Sequence, residues 1–163
     1  MAAAFIEPRE WHAGLAGVVA VAGALITDPG GAVLIVKQNY RDGWVLPGGI
    51  CEFAEPPHEG AAREVAEEVG IDRPAGRLLA VDWHPAFPEY GPGARPSVYF
   101  VFDGGTVPPD TPITLQSDEL DAYRFVPPAE LPGLLLARVL IRTQAALAAR
   151  ESGATAYLPQ QAS

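Results

Sequence analysis

The 163-residue chain predicts an α+β fold, a layered arrangement in which short strands outnumber helices. Two observations carry that prediction. Apolar, β-prone runs bounded by glycine and proline recur from Val18 to Val126, while only two stretches, near 57–69 and 129–150, space their apolar residues at helical intervals. The helical stretches lie far apart, and neither an internal repeat nor a linker divides the chain. One domain over residues 1–163 is expected, with its core at about 15–150.

Val18 to Thr27 and Ala32 to Gln38 predict two strands. Asp28-Pro29-Gly30-Gly31 between them is turn chemistry, so they are expected to form a hairpin. After a turn at Arg41-Asp42-Gly43, Trp44-Val45-Leu46 is a short apolar strand that Pro47 stops, and Gly48-Gly49 opens a loop reaching about Pro57. A helix follows to Val69. Proline suits its first turn, and Gly70 suits the left-handed position past its end. Arg77 to Trp83 and Ser97 to Phe102 predict strands, separated by an irregular segment, His84 to Pro96, with four prolines and two glycines. Gly104 to Pro112 reads as a loop, and Ile113 to Gln116 and Ala122 to Val126 as short strands. Ala129 to Arg150 is helical by the spacing of Leu134, Val139, Leu140, Ala146 and Leu147.

With 20 acidic against 11 basic residues the formal charge is −9, which disfavours binding to a nucleic-acid polymer or an anionic membrane. An acidic protein can still hold an anionic substrate if a divalent cation inverts the local potential. The lone Cys51 excludes an intrachain disulfide and any multi-cysteine metal site, and points to a reducing, cytoplasmic setting. The start MAAAFIEPREWHAG lacks a basic leader, and the apolar stretch from Gly14 to Ile26 is too short and glycine-broken to span a bilayer. A soluble protein is expected. The apolar N-terminal segment and the tail Ala156-Tyr157-Leu158 are left to pack either within one chain or across a homodimer.

Chemistry concentrates between Glu52 and Glu68, where six of the twelve glutamates fall. At about 100° per residue, Glu64, Glu67 and Glu68 share an arc of roughly 100°, opposite Ala62, Val65, Ala66 and Val69. Like charges ~5 Å apart at an effective dielectric of ~20 cost about 3 kcal/mol per pair. Arg63 can pair with Glu59 and Glu67, but one arginine cannot neutralise them all. Magnesium can, because it accepts carboxylates, waters and phosphates together. Taken alone, the helix reads more readily as a solvated acidic face. The preceding loop changes that reading: Gly48-Gly49, where backbone passes close to something or turns to positive φ, and then Glu52 and Glu55 converge on the same point, as a metal–diphosphate site requires.

The stretch Gly49-x5-Glu55-x7-Arg63-Glu64-Val65-Ala66-Glu67-Glu68-Val69-Gly70-Ile71 resembles the Nudix box at every defined position, and Trp44-Val45-Leu46-Pro47-Gly48 resembles its usual lead-in. The resemblance implies a Nudix α/β/α sandwich with a mixed β-sheet between helices. It also implies a hydrolase that cleaves a phosphoanhydride bond of a nucleoside diphosphate linked to another group, a small-molecule nucleotide substrate, by water attack at phosphorus. By that resemblance Glu67 and Glu68 ligate Mg2+ or Mn2+, Glu64 is a further ligand or helps activate water, and the Gly48 carbonyl completes the coordination. Gly49, Glu55 and Arg63 are implied to orient the ligands. A nucleotide sensor that retains the site without turnover is the alternative, and an acidic helix in a non-enzymatic interaction domain a second one.

Outside the box, Glu119 just ahead of the Tyr123 to Val126 strand is the candidate general base, with Asp118 an equally near neighbour and a solvated turn carboxylate the plain alternative. In the segment from His84 to Pro96, Phe87 and Tyr90 are candidates for stacking on a base and Arg95 for meeting a phosphate or sugar acid. Glu52 is a further candidate substrate contact. The same segment reads equally as an ordered cover packed by its own prolines. Cys51 is read as a small loop side chain, His58 as solvated and Trp44 as core, and His12 and His84 have no partner pattern.

Overall fold

The computed structural model describes residues 7–15, 17–86, 91, 93–108 and 110–159. Strand β1 (Val19–Thr27) is its axis, because Leu25 and Ile26 leave solvent entirely on opposite faces. Such a strand must be covered on both sides, and its near-continuous apolar sequence is the signature of that position. Two helices cover it. Helix α2 (Pro57–Val69) sets Val65 and Val69 against Ala24, Ile26, Leu34 and Val36. On the other face helix α3 (Ala137–Ser152) sets Ala146 and Ala149 against Leu25, Val33, Ile35 and Leu79. Each fully buried leucine, isoleucine or valine there contributes about 1.5–3 kcal/mol. The result is a mixed sheet between helices, as the α+β expectation required. A short helix α1 (Pro8–Ala13) precedes β1, and Trp44 is core, 9% exposed.

The pairing around β1 makes the site. Strands β1 and β2 (Val33–Gln38) share one register position, Thr27↔Val33, and then diverge, so the expected hairpin is a splayed one. β2 turns instead to β7 (Leu120–Val126) and to β3 (Trp44–Val45). Into the split comes the segment read as a loop: Gly48–Ile50 forms strand β4, antiparallel to β1 at Val21 to Gly23. Along its other edge β1 pairs in parallel with β6 (Ser97–Thr106) over its whole length. β6 then pairs antiparallel with β5 (Leu78–His84), and β8 (Ala156–Leu158) adds to β5 in parallel. The tail thus packs within the chain.

Other differences from the sequence reading have local causes. β6 runs past Phe102 because a bulge at Gly104 absorbs one residue and returns Gly105 and Thr106 to register with Ile26 and Thr27. Ile113 to Gln116 is not a strand. The Thr114 and Gln116 amides donate to the Val69 and Glu68 carbonyls, 3.1 Å each, satisfying acceptors that the end of α2 leaves open. The C-terminal helix begins at Ala137 rather than Ala129, because Pro132 and Gly133 confine the earlier residues to a 3-10 turn, Leu131–Gly133. Among the described residues no helix is long and apolar enough to cross a membrane.

Candidate active site

Where β1 and β2 part, a cleft of about 690 Å3 opens between β4, the polar face of α2 and the start of β6. Helix α2 supplies Arg63, Glu64, Glu67 and Glu68 to it, and β4 supplies Gly48 and Gly49. The helix is rotated further into the sheet than a solvated acidic face requires. Glu67 is exposed, Glu64 half-buried, and Glu68 only 2% exposed.

The glycine pair explains how a carboxylate survives there. Gly48 has φ +144°, and a Cβ on it would collide with the Ala22 carbonyl and the Gly23 Cα. That close approach to β1 leaves its amide free to donate to Glu68 Oε2 at 2.8 Å. At Gly49 a Cβ would lie 2.6 Å from the Glu64 carboxyl, so the glycine is the space that Glu64 occupies. Burial pushes the Glu68 carboxyl up to about 7, the Gly48 amide opposes this, and the charges of Glu64 and Glu119 add to it. Burial likewise raises Glu64, against the pull of Arg63.

Arg63 is the hub of the site. Its Nε and Nη2 donate to Glu55 Oε1 and Oε2 at 2.9 and 3.0 Å, and Nη1 donates to Glu64 Oε1 and Glu67 Oε2, both at 2.9 Å. Nη2 also reaches the Ile50 carbonyl at 3.2 Å. With the Glu52 amide donating to Glu55 Oε2, this fork holds the Glu55 carboxyl down to about 2. Glu55 and Arg63 thereby tie the β4–α2 loop to the helix. The partner expected for Arg63 at Glu59 is replaced by Glu64 and Glu55, because the β4–α2 loop folds back over the helix.

Glu119 lines the cleft and Asp118 is not among the lining residues; the Asp118 backbone carbonyl accepts from the Asn39 side chain at 2.7 Å. Arg95 also lines the cleft. Glu52 does not: it is exposed and enters the site only through its backbone amide. The expectations for Phe87 and Tyr90 fall outside the described residues. Sequence reading missed Arg41, Tyr99 and Arg142, which also line the cleft. A signal existed for Arg142, which follows Arg138 by four residues and shares the buried helix face with Ala146. Among the described residues no three His, Cys, Asp or Glu side chains converge on one point as they stand. Glu64 and Glu67 both turn to Arg63, and Glu68 turns to the Gly48 amide.

Known proteins resemble this chain in sequence and fold. Diphosphoinositol polyphosphate phosphohydrolase 2 of Rattus norvegicus is 45% identical over 49 residues, 30% of this chain and 27% of that protein. A MutT-like protein of Streptomyces ambofaciens is 36% identical over 75 residues, 46% of this chain and 48% of that one. The matched stretches span from 24% to 48% of such curated relatives. The crystal structure of a MutT protein from Methanosarcina mazei Go1 superposes with a TM-score of 0.67 at 28% identity, covering 84% of this chain and 96% of that one. A model of the NUDIX domain matches residues 18–147, which contain the splayed hairpin, the glycine pair and the acidic helix, and the chain belongs to the Nudix family.

Proposed function

We propose that the chain hydrolyses a phosphoanhydride bond of a nucleoside diphosphate linked to another group, with Mg2+ or Mn2+ bound at the acidic face of α2. One observation carries the reading. Glu64 and Glu68 meet Gly49 and Gly48 across the wall of an open cleft, and the exposed Glu67 stands beside them. Family membership supports it, and the rat relative is named a diphosphoinositol polyphosphate phosphohydrolase.

The donor set suits a hard divalent cation: carboxylate oxygens and, at Gly48, a backbone carbonyl. Arg63 provides the positive charge for Glu64 and Glu67, a charge that a bound cation would supply instead, while Glu55 holds the guanidinium in place. A bound metal neutralises phosphate charge and lowers the pKa of water. The chain does the rest. Glu64, Glu67 and Glu68 would hold that cation, and through it the diphosphate would be positioned relative to the sheet. Glu119 accepts the proton of the attacking water, and a phosphate or phosphomonoester departs from phosphorus.

The test is phosphate release from a nucleotide panel, with and without EDTA, in wild type, Glu67→Gln and Glu68→Gln. The expected result is loss of activity in EDTA and a drop of roughly 100-fold or more in each variant. Metal-independent turnover, or full activity in both variants, would overturn the reading.

A further inference from the structure

The cleft has a second end, and its chemistry is the reverse of the first. Arg142 of α3 lines it, only 6% exposed, with its guanidinium carbon 3.5 Å from the centroid of the Tyr99 ring. Tyr99 and Ser97 stand opposite Val21 and Val19 in the parallel β1–β6 register, so they face the same side of the sheet. Behind them lies Asp82, fully buried. It accepts from Arg138 Nε at 3.2 Å and again from Arg138 Nη2, and it lies 3.1 Å from Arg142 Nε. His84 Nε2 is 3.1 Å from both Asp82 Oδ2 and Arg142 Nη2.

This cluster sets two guanidinium groups against one carboxylate, a net positive charge at a largely desolvated place. Burial works against the charge of Asp82, but the His84 hydrogen bond and the two arginines outweigh it and hold the carboxyl below its ordinary value. Arg142 is partnered by Asp82 and by Tyr99, both of which favour its charge. Burial depresses it, and its Nε has no well-aligned hydrogen-bond acceptor among the described residues. The exposed Arg95 adds a further cation to the cleft wall. After burial, the largest electrostatic influences on Arg142 come from Asp82, Tyr99 and Arg138. The cleft is therefore polarised, acidic along α2 and basic between β6 and α3.

We propose that the Arg142 end of the cleft is an anion-reading subsite, which favours diphosphate substrates whose distal moiety carries a further carboxylate or phosphate. Arg142 and Arg95 are its donors. Asp82 and Arg138 position Arg142, and Tyr99 supplies the flat surface beside it. A planar guanidinium held against a ring and a buried carboxylate is pre-organised for a forked contact with such a group. The inference rests on the reading that the metal-bound diphosphate occupies the α2 end.

Two matched pairs test it: UDP-glucuronate against UDP-glucose for a carboxylate, and NADPH against NADH for a phosphate. Each is assayed with Mg2+ in wild type, Arg95→Gln and Arg142→Lys. Arg95 is exposed, and lysine keeps a cation beside Asp82, so both variants are designed to fold. The expected result is a kcat/KM ratio of roughly tenfold or more for the anionic member of at least one pair, the worth of one charge-assisted hydrogen bond, falling to within about threefold in both variants. The pair that responds identifies the anion. Ratios near one in wild type, or a preference kept in both variants, overturn the subsite and leave the hydrolase reading standing. Absence of turnover on all four compounds counts against the hydrolase reading instead. Calorimetric titration of the same compounds then decides the subsite: tighter binding of the anionic member supports it, and equal affinity overturns it.

Discussion

Replacing Glu68 with glutamine should make the metal-free protein more stable, and the gain should depend on pH in a defined way. Glu68 is 2% exposed, and burial raises its carboxyl from the ordinary 4.5 to about 7. In the unfolded chain it titrates near its ordinary value. Below about 4.5 both states carry the proton and the group makes no pH-dependent difference. Between 4.5 and 7 the unfolded chain ionises first, so folded-state stability falls as pH rises. Above about 7 the cost is complete. At about 1.4 kcal/mol for each tenfold change in proton affinity it reaches about 3 kcal/mol. Glutamine resembles the protonated acid and its amide oxygen can accept from the Gly48 N–H. Urea unfolding in EDTA should therefore show wild type and Glu68→Gln nearly equal at pH 4.5. By pH 8 the variant should be ahead by about 3 kcal/mol, roughly 6–12 °C in Tm for a chain of this size. Saturating Mg2+ should reverse the order at pH 8, since it stabilises only the protein that can bind it. A stability difference that stays flat from pH 4.5 to 8, or a glutamine variant that is the weaker at pH 8, would refute the placement of an ionised Glu68 in a desolvated site.

Three further outcomes are expected. Gly49→Ala places a methyl 2.6 Å from the Glu64 carboxyl, so it should destabilise by about 1–3 kcal/mol and lower turnover by displacing Glu64, read by chemical unfolding and phosphate release. Arg63→Met removes the fork from Glu55, so the Glu55 carboxyl should titrate well above about 2 by NMR and activity should fall roughly 10–100-fold. Glu119→Gln should lower kcat and also bring the Glu68 carboxyl down, because the Glu119 charge helps to raise it. Asp118→Asn, at a residue that does not line the cleft, should leave the pH–rate profile in place.

Much of the chemistry was legible in the sequence because it is local. Residues 49–71 hold the anchor, the orienting arginine and the three carboxylates within one loop and one helix, where a 3.6-residue period determines who shares a face. Strands that bury both faces were equally legible, since β1 and β2 announce themselves as unbroken apolar runs. Tertiary structure decided the rest, because it depends on pairings between residues far apart in the chain. The turn at Asp28 to Gly31 predicted a hairpin, but β1 prefers β6, about 80 residues on, and β2 prefers β7. Only that exchange of partners opens the cleft and admits β4. Nothing near Glu68 in sequence foretells that Gly48 caps it and that burial raises its carboxyl. Nor does His84, two residues from Asp82 on β5, foretell Arg138 and Arg142 around it, 54 and 58 residues away. Periodicity determines which residues share a face, whereas desolvation and charge compensation are set by whatever the fold places opposite that face.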